Sequence, residues 1–388
     1  MTTSSHDAER PETGSQCTRA PRQGQGKTRR RRRRRVRVAA AVSLLLGLPF
    51  VAASEPAAPI ASHRLETQHP ALSLAVLQDV VAVSQGLAGV AWYRRGADPP
   101  GAGFSTQPDW PTLSAEAAAP YGPNAVFLAG RWGKIRLVRL SPDGAPAEEI
   151  MTWDVEGIPT GLAYRPASGP VPALMMVASG PAGISIWQWD DGRDKPPVLR
   201  GRFPYAHYAK RIAFLTPART AVADTAGLLV LGVEDPMRPV LLQSIRADSY
   251  TDSLAAAPGG ELYAVDRWNG VKGYRWGGDR LTPALAFGPP PSEVATRHLS
   301  ASPQGLLISE NEGGVRWMVK EDESETWTER RRFRPESGPA VEVAFETPHR
   351  IVIATFEGGL EWFEWPAEQV PLKKVPLKKA PPKKAPGN

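Results

Sequence analysis

Residues 220–245, TAVADTAGLLVLGVEDPMRPVLLQSI, alternate short apolar runs with tight polar turns. Thr220–Asp224 is an apolar run, and Thr225-Ala226 makes a hairpin turn. Gly227 opens a second run that reaches Glu234. Asp235-Pro236-Met237-Arg238-Pro239 then turns the chain into a third, Val240–Arg246. Just upstream, Arg211–Thr216 is another such run, closed by Pro217-Ala218-Arg219. Runs rich in Val, Leu and Ile, bounded by Pro, Gly and Asp, read as strands and turns. Residues 211–246 therefore predict four antiparallel strands.

The glycine that opens the third strand recurs at Gly89, Gly133, Gly183, Gly227, Gly270, Gly314 and Gly359, with successive gaps of 44, 50, 44, 43, 44 and 45 residues. A β-type unit repeated at that period predicts an all-β fold, a seven-bladed β-propeller of four-stranded antiparallel blades over residues 71–370. One such sheet is apolar on both faces. Stacking blades buries both faces, and closing the ring buries the last. Trp92, Trp187, Tyr274, Trp317 and Trp362 of the third strands supply the bulk between blades, each contributing about 2–3 kcal/mol. The glycine reads as a structural marker, where φ is positive or two backbones approach closely. No GxGxxG or Walker loop is present.

The seventh unit offers only three strands, Val341–Phe345, Arg350–Thr355 and Gly359–Trp365; the following Pro366–Leu372 is short and holds two prolines. Residues 54–70 are a linker or a closing strand, and the segment around Ala58–Glu66 is expected to complete the last blade.

The net charge of +7 is unevenly spread. Residues 1–53 carry a net +9 and residues 371–388 a net +6, which leaves the body near −8. An acidic body argues against a basic groove for nucleic acid. Residues 29–35 are seven arginines, and 38–53 (VAAAVSLLLGLPFVAA) are uncharged. A basic segment, a short apolar stretch and Val51-Ala52-Ala53 predict a secretory signal peptide cleaved after Ala53; an uncleaved signal-anchor is the minor alternative. The protein is thus expected in the periplasm, at the cell surface or secreted. Cys17 is the only cysteine, so the exported chain needs no disulfide and has no thiol chemistry.

Residues 220–245 resemble the LVIVD repeat of bacterial secreted propellers. Ala223-Asp224, Gly227-Leu228-Leu229-Val230 and Asp235-Pro236 with Pro239 carry the resemblance. Val265-Asp266 with Gly270-Val271 keeps the core, and Gly313-Gly314-Val315 and Gly358-Gly359-Leu360 keep the glycine step. The resemblance implies an extracytoplasmic propeller and brings no catalytic residues.

In a propeller the turns between second and third strands, and those between blades, crowd one rim of the channel, where ligands bind. The candidate binding residues in the first set are Gln85, Arg131, Trp132, Asp224, Asp266, Arg267, Trp268, Glu310, Asn311 and Glu357. The second set adds Lys210, Arg211, Asp252, Arg297, His298 and Glu342. Arg131-Trp132 and Arg267-Trp268 repeat an Arg-Trp pair; exposed, it has hot-spot composition, and folded back it would only cover blade edges. The histidines do not fall at metal-ligand spacings. The WDDGRD stretch at 189–194 lacks the later ligands of a calcium loop. No catalytic residue, metal or cofactor is assigned.

Residues 371–385, PLKKVPLKKAPPKKA, favour an extended cationic chain. Lys373, Lys374, Lys378, Lys379, Lys383 and Lys384 would contact an anionic envelope polymer or a membrane surface. The expected function is a monomeric, non-catalytic scaffold that binds an envelope protein or glycan. The alternative is a lactonase-like or lyase-like propeller enzyme using acidic rim residues and a divalent cation.

Overall fold

The computed structural model describes residues 60–67, 69–77, 80–94, 103–104, 116–142, 145–189, 195–257, 260–287, 294–321 and 326–366. The signal segment 1–53, the lysine tail 371–388 and the acidic loop 190–194 lie outside the described residues.

The chain begins with β1 (Ile60–Glu66). Blade I holds β2 (Ser73–Val76), β3 (Val80–Ser84), β4 (Val90–Arg94) and the short β5 (Gly103–Phe104). Blade II holds β6 (Ala117–Pro120), β7 (Ala125–Gly130), β8 (Lys134–Leu140) and β9 (Pro146–Asp154). Blade III holds β10 (Gly161–Arg165), β11 (Ala173–Ala178), β12 (Ile184–Trp189) and β13 (Val198–Phe203). Blade IV is β14 (Ala209–Thr216), β15 (Arg219–Asp224), β16 (Gly227–Gly232) and β17 (Val240–Arg246). Blade V is β18 (Thr251–Ala257), β19 (Glu261–Asp266), β20 (Gly270–Trp276) and β21 (Leu281–Phe287). Blade VI is β22 (His298–Ser302), β23 (Gly305–Ser309), β24 (Val315–Lys320) and β25 (Trp327–Phe333). Blade VII is β26 (Ala340–Thr347), β27 (Arg350–Thr355) and β28 (Gly359–Glu364), with β1 as its fourth strand.

Seven four-stranded antiparallel sheets result, so the fold is the seven-bladed propeller that the glycine period predicts. β1 pairs along β28 from Ile60 opposite Glu364 to Glu66 opposite Gly359. The start of the propeller thus supplies the strand that its last repeat lacks.

The middle strands β7, β11 and β16 are buried at every position. A sheet covered on both faces needs continuous apolar runs there rather than alternation. The outer strands β13 and β17 are largely exposed. Seven apolar clusters among the described residues sit one between each pair of neighbouring blades. Trp92 packs between blades I and II, Trp187 between II and III, Tyr274 between IV and V, Trp317 between VI and VII, and Trp362 between VII and I.

The recurrent glycine answers two needs at once. Gly314 has φ 80°, and a Cβ there would strike the carbonyl oxygen of Phe333 on the outer strand. Gly227 is likewise pressed against the carbonyl of Ile245. The seventh copy differs: the positive φ (92°) falls on Gly358, one residue before Gly359.

Candidate functional site: the channel mouth and its aromatic rim

Each inner strand starts on the face that carries the turn between second and third strands. Ala209 pairs with Asp224, Thr251 with Asp266 and Ala340 with Thr355. In these three blades the register then slips, between Ala209 and Arg211, Thr251 and Leu254, and Ala340 and Glu342. A bulge re-aims side chains that a regular ladder would hold against the next blade. Each slip carries charge: Lys210 and Arg211, Asp252, and Glu342.

Glu342 is the focus of the channel mouth. Its side chain is almost wholly buried, and three other blades address it. His298 Nε2 of blade VI lies 3.0 Å from Oε1, and Arg211 Nη2 of blade IV lies 3.4 Å from the same oxygen. Leu74 of blade I donates its backbone N–H to Oε2 at 3.0 Å. Burial alone would raise the carboxyl, but Arg211 and the hydrogen bonds from His298 and Leu74 more than offset it and hold Glu342 below the usual carboxylate range. His298 Nδ1 accepts the Val343 N–H at 3.4 Å. Nε2 therefore carries the proton that it donates to Glu342, and both ring nitrogens are engaged.

Asp252 gathers a second set. Lys210 of blade IV and Arg267 of its own blade both pair with it. The Arg267 guanidinium also lies 5.4 Å from the centre of the Tyr250 ring, within cation–π range.

Three other predicted acids serve the fold. Asp224 is fully buried and accepts the N–H groups of Tyr208 (2.9 Å) and Ala226 (2.8 Å). Asp266 accepts from Asp248 N, Ser249 N and Asn269 and pairs with Lys272 at 2.9 Å. Burial opposes its charge, but those bonds keep its carboxyl below the usual range. Glu310 is fully buried and paired with Arg316 and Arg332. These carboxylates tie turns and strands within their blades. Gln85 is buried and donates to His69 O at 3.4 Å. Asn311, at φ 44°, accepts from Arg297 at 3.1 Å. Glu357 is exposed in the turn after β27.

Both predicted tryptophans face outward: Trp132 is 75% exposed and Trp268 is 50% exposed, and Arg131 beside the first is exposed too. They have company that the polar turn pattern does not reveal. Leu87 and Phe356 stand in the equivalent turns of blades I and VII. Ile158, Tyr205, Tyr208 and Tyr250 stand in the connections that lead into blades III, IV and V. The legible signal is a large apolar residue inside a turn, as in Thr355-Phe356-Glu357. Of thirteen exposed large apolar side chains among the described residues, these eight occupy the one face.

Chemically the channel mouth is a set of paired charges. Its cations and carboxylates satisfy one another, and among the described residues no three His, Cys, Asp or Glu side chains gather as metal ligands. The face around it is rich in exposed aromatic side chains.

No protein-family model matches the chain, and no curated protein does. Among solved structures it is similar to the crystal structure of selenomethionine-substituted virginiamycin B lyase from Staphylococcus aureus, with a TM-score of 0.61 and 12% identity. The match covers 78% of this chain and 99% of that one. At that identity the likeness is one of fold.

Proposed function

We propose that this propeller is a binding module, that its working surface is the aromatic rim at the channel mouth, and that its partner is a protein. The observation that carries the reading is the gathering of eight exposed large apolar side chains on one face. Exposed apolar side chains grouped on one face point to an interaction site. Trp, Tyr and Arg, the residues that dominate hot spots, recur there as Arg131-Trp132 and as Arg267, Trp268 and Tyr250. On the sequence of residues 1–53 we place the module outside the cytoplasm. The lysine tail is then an auxiliary contact to an anionic polymer or membrane surface.

Affinity capture from envelope extract tests the reading. The protein and a Trp132→Ala, Trp268→Ala variant of equal melting temperature are compared. A partner retained by the first and lost by the second is expected; identical retention overturns the rim as the interface.

One arrangement favours a second reading, a lyase or hydrolase using a divalent cation: the His298–Glu342 pair in the channel of a fold shared with a lyase. Metal analysis of the purified protein discriminates. Stoichiometric calcium or zinc favours the enzyme, and its absence favours the binding module.

A further inference from the structure

The five exposed large apolar side chains that lie off the rim gather on the outer wall of blades III and IV. They are Val198 at the start of β13, Met237 in the turn before β17, and Val240, Leu241 and Leu242 in β17. That turn is pressed against β13, since a Cβ on Gly201 would strike the Pro236 carbonyl. β17 is the last strand of its sheet, so among the described residues its far edge has no strand beside it.

Exposed edges pair with other chains unless charge or proline blunts them. The other outer strands carry such guards. β1 has Arg64 and Glu66, and β9 has Glu148 and Glu149. β13 has Arg200 and Arg202, β21 has Pro283, and β25 runs Glu329-Arg330-Arg331-Arg332. β5 is only two residues long. β17 reads VLLQSIR, with no charge before Arg246 and no proline, and its one guard is a bulge at Leu242. Gln243 exchanges two hydrogen bonds with Leu281 of β21, at 3.0 and 2.8 Å, which holds the strand firmly against blade V.

We infer that β17 is a pairing edge and that its occupant is a second copy of this chain, joined β17 to β17 in antiparallel fashion across a two-fold axis. The strand is self-complementary in that arrangement. Centred on Gln243, it sets Val240 opposite Arg246 and Leu241 opposite Ile245 of the second copy, with the bulge at Leu242 falling beside Ser244. No like charges meet, as cross-strand pairing requires. The same centring of β25 would set Arg330 against Arg330. A two-fold, isologous contact closes on itself as a dimer. The dimer so formed leaves both aromatic rims free.

Sedimentation velocity on the purified protein over a rising concentration series tests this. The protein should shift from monomer to dimer at micromolar concentration. Leu241→Lys, and separately Ser244→Pro, should remain monomeric with unchanged melting temperature. The rim variant Trp132→Ala, Trp268→Ala should still dimerise, which separates this inference from the function proposed above. A protein that stays monomeric throughout, a dimer that survives both edge variants, or a complex formed through β17 only with a different chain overturns it.

Discussion

Arg211 and Glu342 meet across the channel: Nη2 of the arginine on blade IV lies 3.4 Å from Oε1 of the glutamate on blade VII. The two blades are three steps apart around the ring. The contact exists because both inner strands slip register where they enter the channel. Opposite sides of the ring are thereby tied by charge where no apolar cluster reaches.

Removing one partner of this pair should therefore cost more than a surface ion pair would. Arg211→Ala leaves the buried carboxylate with only His298 and the Leu74 N–H. Breaking a buried pair from one side costs about 3–5 kcal/mol, and the lower end applies because Arg211 is partly exposed. Urea unfolding measures it; a loss below about 1 kcal/mol, the range of exposed pairs, would contradict the cross-channel tie.

Acid should weaken the protein through the same carboxylate. Glu342 and Asp266 both have folded-state values below the unfolded ones, which lie near 4. A depressed carboxyl stabilises the fold above its unfolded pKa and loses that contribution as pH falls through its folded pKa. Stability should thus be flat near neutrality and decline below about pH 4. Glu342→Gln should be less stable at pH 7 and show a shallower decline. An acid limb unchanged by Glu342→Gln would assign the effect elsewhere.

The glycines offer a paired test. Gly314 combines positive φ with a carbonyl where Cβ would go, whereas Gly122 has φ 64° and nothing within 4 Å. Gly122→Ala should cost only the left-handed strain, about 1 kcal/mol. Gly314→Ala should cost clearly more, because Phe333 and its strand must also move. Equal losses in thermal unfolding would reduce the marker glycine to a φ requirement alone.

That glycine shows what was legible. Strand runs and turn residues repeat locally, so β14–β17 fall within two residues of the expected limits, and the missing strand of blade VII pointed to its replacement. The site was legible only in part. Trp132, Trp268, Arg211, His298 and Glu342 stand out because Trp and charged residues are conspicuous in turns and at strand starts. Their partners were hidden, since the Arg211–Glu342 contact depends on two bulges that leave no mark in the pattern. Asp224 and Glu310 read like exposed rim acids yet are buried, because a carboxylate in a turn serves local N–H groups or arginines as readily as a ligand. Tyr205, Tyr208 and Phe356 carry no local mark that separates them from the aromatics that fill the blade cores.

Ring closure gives the last prediction. β1 is held to β28 by the whole ladder from Ile60 to Glu66, and Thr67 N–H adds a 2.6 Å bond to Gly358 O. Deleting residues 54–68 would strip blade VII of its outer strand and expose the edge of β28. That edge includes Trp362, which packs between blades VII and I. Circular dichroism should record a melting temperature lower by well over 5 °C, since each 1 kcal/mol lost shifts the melting point of a 150–250-residue domain by about 2–4 °C and several bonds are lost together. The exposed apolar edge should also promote aggregation. If the truncated protein melts where the full one does, β1 does not close the ring, and blade VII is stable with three strands.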